Sequence, residues 1–497
     1  MAGLVSDRGV TVPRDMAVRV ADRALQRMAG APLIPGNAVQ LLRDAAENYP
    51  AWMEAMRGAK KEICFETYSF RSDATGLEFA RLLETKAREG VRVRLIYDWF
   101  GGLGAASFLF WRRLRKAGVE VRCFRPMRLV DPTGSIGRDH RKIIVVDGEI
   151  GFVAGLCVSD VWVGDARRGR PPWRDTGVRI EGPAVRELER TFRRMWGLVG
   201  GRWEAEAEHA PVSPKHRVAG SVPLRIVPGE PGHGGLYRLD LMLTAVAIRS
   251  FWLTDAYFFA TPSFVQALRS AALDGVDVRL LLPRTSDIPV VRALSRVGYR
   301  TLLEAGVRIF EWNGSMLHAK TAVVDDRWAR VGSTNLNLAS WVSNYELDVV
   351  VEDAAFARAM RQMYLDDLAN ATEIVLSAGT KVGPLEARRG HRGSRGRARS
   401  SAGRFATGAI AMGSTAGLAI TRPQLLGPAE APIMLFTALL LLCAGALAAF
   451  FPRTSAYVAA GCAAWLAGTL LLKALRLYRA GKQRDTTGDS SNAGSNL

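Results

Sequence analysis

Two stretches decide the fold: "GRDHRKIIVVDGEIGFVAG" at residues 137–155 and "MLHAKTAVVDDRWARVGSTN" at residues 316–335. Each holds a His, a Lys two positions on and an Asp five positions after that: His140, Lys142, Asp147 and His318, Lys320, Asp325. Between Lys and Asp lies a short, mostly β-branched apolar run, which reads as a buried strand. Side chains alternate across a strand, so His and Lys share one face at its mouth and the Asp falls at the turn that ends it.

The surrounding sequence repeats with the motif. "KEICFETYSF" and "GVRVRLIYD" in the first half answer "IRSFWLTDAYFF" and "GVDVRLLLP" in the second, and "AGVEVRCF" answers "AGVRIFEW". Matching positions are about 178 to 189 residues apart, a long-period duplication rather than a solenoid repeat. The runs "VRVRLIYD", "VEVRCF", "KIIVVDG", "VRLLLP" and "TAVVDD" read as strands. "GLEFARLLETKAREG" and "SFVQALRSAALDG" have helical apolar spacing. The expected fold is α/β: two duplicated halves, 36–200 and 223–376, packed face to face as a pseudo-dimer after a lead-in at 1–35. A polar hinge covers about 201–222, and an Arg/Gly/Ser linker occupies 387–404.

The chain has 497 residues and a formal net charge of +19, which points to an anionic partner. Cys64, Cys123, Cys157, Cys443 and Cys462 show no CxxC spacing, so a zinc site or a disulfide framework is not expected, and a reducing compartment suits the chain. No carboxylate cluster suggests a metal, and no cofactor is expected. The first residues lack the apolar core of a secretory signal. Residues 431–451, "APIMLFTALLLLCAGALAAFF", carry no charge, and a second uncharged run spans Ala456 to Leu472. Together they predict a C-terminal transmembrane hairpin over 431–473. Arginines at 388–404 precede it and Lys473, Arg476, Arg479, Lys482 and Arg484 follow it, while the connecting loop holds only Arg453. The positive-inside rule puts both flanks in the cytoplasm. Residues 405–420 read as an interfacial or re-entrant segment.

A neutral imidazole can attack phosphorus, and a protonated one can protonate a leaving alkoxide; displacement at a phosphodiester needs both. Two motifs supply two histidines, and two lysines supply charge for the phosphate oxygens. With its doubled H-x-K-x(4)-D, the chain resembles the phospholipase D superfamily and, within it, bacterial cardiolipin synthases. The resemblance runs over residues 33–376, through "PGNAVQLLRDA", "ETYSF", "HRKIIVVDGEIGFVAGL", "WRDTGVRIEGPAVRELERTF", "AYFFATPSFVQAL", "EWNGSMLHAKTAVVDDRW", "VGSTNLNLAS" and "NYELDVVV".

The resemblance implies site residues. His140, His318, Lys142 and Lys320 are catalytic, with Asp147 and Asp325 completing the motif as loop supports. Asp175 and Glu346 match the acids that orient a histidine, one in each half. Ser333 and Asn335 match a phosphate-binding pair. In the first half "AGLCV" puts Cys157 where relatives carry the phosphate-binding Asn. Which histidine attacks stays open. The implied activity is phosphatidyl transfer through a phosphohistidine, giving cardiolipin from phosphatidylglycerol, at the bacterial cytoplasmic membrane with the catalytic part on the cytoplasmic side. Phosphatidylethanolamine is a further candidate lipid. A phospholipase D-type hydrolase or a nuclease would use the same site, although much of the positive charge flanks the apolar spans, which disfavours nucleic acid. A non-catalytic lipid-binding scaffold would tolerate loss of His or Lys in one half, which is not seen. Trp99, Phe100, Phe108, Phe110 and Trp111 are candidates for a lipid entrance.

Overall fold

In the computed structural model, the described residues are 26–126, 137–203, 218–287, 295–296, 298–377 and 381–384, with position 460 alone beyond them. The linker at 387–404, the segment 405–420 and, apart from position 460, the hairpin at 431–473 lie outside them. Among the described residues no helix is long and apolar enough to cross a membrane.

The first half runs β1 (Ile34–Arg43), α1 (Asp44–Gly58), β2 (Glu62–Thr67), α2 (Ala74–Arg88), β3 (Arg92–Asp98), α3 (Phe108–Lys116), β4 (Glu120–Phe124), β5 (Ile143–Val146), β6 (Ile150–Ala154), the short α4 (Asp160–Val163), β7 (Thr176–Glu181) and α5 (Val185–Leu198). The second half repeats this with β8 (Val222–Gly229), α6 (Gly235–Val246), β9 (Ser250–Thr254), α7 (Pro262–Leu273), β10 (Asp277–Pro283), α8 (Tyr299–Leu303), β11 (Arg308–Trp312), β12 (Thr321–Val324), β13 (Trp328–Gly332), β14 (Glu346–Val351) and α9 (Ala354–Ala369). Strands β15 (Ala371–Ser377) and β16 (Lys381–Pro384) extend its far edge. The two helical stretches read from sequence are α2 and α7. Their starts are fixed chemically: Asp73 accepts from Gly76 N, and Thr261 accepts from Phe264 N with Pro262 in the first turn.

Strand order shows the duplication directly: β4-β3-β2-β5-β6-β7-β1 in one half and β11-β10-β9-β12-β13-β14-β8 in the other. In each, three parallel strands meet an antiparallel motif strand, β5 or β12, which lies beside β2 or β9. The halves join edge to edge through antiparallel β1 and β8. They also pack face to face. Val145, Val153, Val178 and Ile180 share one apolar layer with Val323, Val331, Leu347 and Val349. The motif strands are buried on both sides: Ile143 and Val145 face this middle layer, whereas Ile144 and Val146 face the layer under α1, α2 and α3. A strand with two dry faces has no room to shift register, so the polar residues at its mouth are held in place.

Candidate active site

The two motif histidines are held by the opposite halves. Tyr345 N donates to Arg138 O and His140 N donates to Tyr345 O, each at 2.8 Å. The mirror pair has Arg174 N donating to Met316 O at 3.0 Å and His318 N donating to Arg174 O at 2.7 Å. Each motif thus backs onto the residue just before the other half's acid, and the next residue reaches the imidazole. Glu346 Oε2 lies 2.9 Å from His140 Nδ1, and Asp175 Oδ2 lies 2.7 Å from His318 Nδ1. The acids serve the histidine across the interface, so neither half contains a complete site.

These pairs set the chemistry of the rings. A carboxylate at Nδ1 takes the N–H there and leaves Nε2 with its lone pair. Burial lowers the affinity of both imidazoles for a proton; Glu346 opposes this at His140, and at His318 Asp175 opposes burial and the charge of Lys320. The balance brings His318 down to about 3. Burial pushes both carboxylates up, but the facing histidine, a lysine and a hydrogen bond from Thr176 N or the Ser333 hydroxyl outweigh it and hold both below the usual carboxylate range. Lys320 Nζ is 3.0 Å from His318 Nδ1 and bonds to His318 O. Lys142 Nζ makes the same bond to His140 O. Burial lowers Lys320 to about 8.

The acids are themselves held. Arg174 forms a two-point pair with Asp367 of α9 at 2.8 and 2.9 Å and reaches Asp44 at 3.1 Å, which locks the segment carrying Asp175 to both halves. A Cβ at Gly155 would overlap Asp175 Oδ1, so only glycine lets β6 end this close to the acid. Ser333 stands where Gly155 does in the first half, and its hydroxyl donates to Glu346 Oε2 at 2.5 Å. That differs from the direct phosphate contact expected from sequence: the hydroxyl is occupied by the acid. Asn335 is buried, and its side-chain oxygen has no hydrogen-bond partner among the described residues. Its loop is pinned by Thr334 N and Oγ1 donating to Asp348 at 3.1 and 2.9 Å, with Arg330 3.3 Å from the same carboxylate. The first-half position, Cys157, lies instead inside the apolar layer under α1 and α2, its carbonyl taking the Tyr49 hydroxyl at 2.6 Å.

The motif aspartates sit at the other end of their strands. Asp147 accepts from Lys60, Lys61 and Glu62 N at 2.8 Å each. Asp325 accepts from Ile248, Arg249 and Ser250 N at 2.7–2.8 Å. Both have positive φ, +54° and +52°. They tie the turn after the motif strand to the start of β2 or β9, away from the imidazoles. Asp147→Ala removes the acceptor and leaves a left-handed residue with a Cβ, so stability should fall by about 2 kcal/mol. A lower denaturation midpoint checks this; lost turnover at an unchanged midpoint would return these aspartates to the reaction.

Four aromatic residues around the histidines were not singled out from sequence as site residues. Tyr68 packs edge-on to His140 at 5.0 Å, and Tyr257, Trp162 and Trp173 surround His318 at 5.9, 5.6 and 5.7 Å. Tyr68, Trp173 and Tyr257 lie in the quoted stretches "ETYSF", "WRDTGVRIEGPAVRELERTF" and "AYFFATPSFVQAL", but nothing local shows that they reach a histidine. Of the residues suggested for a lipid entrance, Phe110 and Trp111 are core, packed on Phe70; the helical turn that exposes Phe108 buries them.

Residues 53–196 and 243–368 match the family described as "Cardiolipin synthase, PLD-like domain". The cardiolipin synthase of Alkalihalophilus pseudofirmus is 32% identical over 360 residues, 71% of either chain. Cardiolipin synthase A of Pseudomonas fluorescens is 32% identical over 371 residues, 73% of this chain and 74% of that one. Among solved structures, a phosphatidylserine synthase of Haemophilus influenzae superposes with a TM-score of 0.56 at 17% identity, covering 71% of this chain and 92% of that one, a likeness of fold. With two motifs, two facing acids and matches over both halves, the chain belongs to the cardiolipin synthase family of phospholipase D-like proteins.

Proposed function

We propose that this protein is a phosphatidyltransferase that makes cardiolipin from two phosphatidylglycerols through one phosphohistidine. The observation that carries the reading is the reciprocal pairing of His140 with Glu346 and His318 with Asp175, each made between the halves, with Lys320 acting on His140 and Lys142 on His318. His318 is the nucleophile: its half keeps Asn335 where the first half has Cys157 in the apolar layer, and burial keeps its ring neutral. Its Nε2 attacks phosphorus, the bond from phosphorus to the headgroup glycerol breaks, and His140 protonates the departing oxygen. Glu346 supports the imidazolium that His140 must become. The headgroup hydroxyl of a second phosphatidylglycerol then gives its proton to His140 and displaces His318, forming cardiolipin. Lys142 and Lys320 neutralise the phosphate oxygens, Asn335 binds phosphate, and Ser333 positions Glu346. The two uncharged apolar runs, 431–451 and 456–472, fit an enzyme whose substrates are lipids of a membrane.

Purified protein given phosphatidylglycerol should release cardiolipin and glycerol in equal amounts. Phosphatidic acid as the main product would make it a hydrolase, and turnover of nucleic acid alone would make it a nuclease. With Lys320 near 8, kcat/KM should decline as pH rises past about 8 and the ammonium is lost. In Lys320→Arg, whose guanidinium does not titrate there, that decline should disappear even though turnover is lower. A decline that stays in place assigns it to another group.

A further inference from the structure

We propose that the rim formed by the start of α3 and the loop after α4 docks on an anionic bilayer and seats the site on the lipid surface. This rests on the transferase reading only for its purpose. The observation is an apolar surface beside the site that the fold leaves uncovered. Phe108 and Leu109 are 73% and 68% exposed, and Leu103 in the preceding loop is 40% exposed. Water does not favour neighbouring exposed side chains of this size, and such a patch marks a contact surface. Arg112, also exposed, lies one helical turn on from both, so one face of α3 presents two apolar side chains followed by a cation.

The end of α4 and the loop after it repeat the chemistry, with Val163 53% exposed and then exposed Arg167, Arg168 and Arg170. The two segments meet on one strip of chain. Ser72 N donates to Ala105 O at 3.0 Å, and Asp160 accepts from Ala74 N and Thr75 N at 3.3 and 2.8 Å. Each segment also reaches a histidine. The backbone of Gly101 lies against Tyr68, which packs on His140, and Trp162 packs on His318. Apolar tips flanked by arginines fit a negatively charged lipid interface, where the tips enter the acyl boundary and the arginines meet the headgroup phosphates.

The test uses the full chain with an environment-sensitive fluorophore on Leu109→Cys. A control carries it on Lys60→Cys, at the opposite end of the motif strand, and labelling of the unmodified chain is subtracted. In phosphatidylglycerol/phosphatidylcholine bilayers the probe at 109 should shift to the blue and be quenched by spin-labelled acyl chains, while the probe at 60 stays as in water. A probe at 109 that matches the probe at 60 overturns the proposal. So does a blue shift without lipid that grows with protein concentration, which would assign the face to a second copy of the chain. In the Phe108→Ser/Leu109→Ser variant, the ratio of turnover on vesicles to turnover on detergent-dispersed phosphatidylglycerol should fall about tenfold. An unchanged ratio contradicts docking. The fluorescence needs no turnover, so it remains decisive if the transferase reading fails.

Discussion

His140→Ala and His318→Ala each lower phosphatidyl transfer by about 10⁴-fold or more, and the double variant is no worse than the poorer single one. The reason is structural. Each histidine takes its acid from the other half, and Lys320 acts on His140 as Lys142 does on His318, so the two pairs work on one phosphate. Groups that act as a unit on one phosphorus are non-additive, because once either is lost the other has no step to complete. Circular dichroism at the assay temperature should show both variants folded, with a lower denaturation midpoint because each substitution leaves a buried acid without its histidine. If one variant retained half the activity, the halves would be working separately.

Exchanging an acid for its amide should be felt across the interface. Asp175→Asn acts on His318 and Glu346→Gln on His140, and each should reduce turnover by about 10²–10⁴-fold. An amide keeps the shape but no longer fixes the N–H at Nδ1, so the tautomer shifts and Nε2 carries a proton where its lone pair is needed. It also removes a carboxylate that supports proton binding against burial at each ring. Nitrogen NMR of the imidazoles gives a readout that a merely structural role would not move. Asp175→Asn should change the tautomer of His318 and leave His140 as it was, and Glu346→Gln should do the reverse. A change confined to the histidine of the acid's own half would contradict the crossed arrangement.

The crossing explains what sequence conveyed and what it withheld. His-Lys-Asp spacing is local, and so are the strand alternation and helix periods around it, so both motif strands, α2 and α7 were legible. Asp175 and Glu346 were legible as acids through resemblance. Their partners are 143 and 206 positions away, and only the packed middle layer brings them together. Ser333 read as a phosphate ligand through resemblance alone; its bond to Glu346 depends on β14 lying beside β13. Phe108, Phe110 and Trp111 looked alike in sequence. The phase of one helical turn decides that Phe108 is exposed while Phe110 and Trp111 are buried.

The most direct measurement is the number of phosphatidyl groups trapped covalently per chain when turnover on phosphatidylglycerol is quenched rapidly and the labelled histidine is located by mass spectrometry. A single composite site predicts no more than one group per chain, on His318, absent from His318→Ala. Two groups per chain, or one retained in each of the single histidine variants, would contradict it.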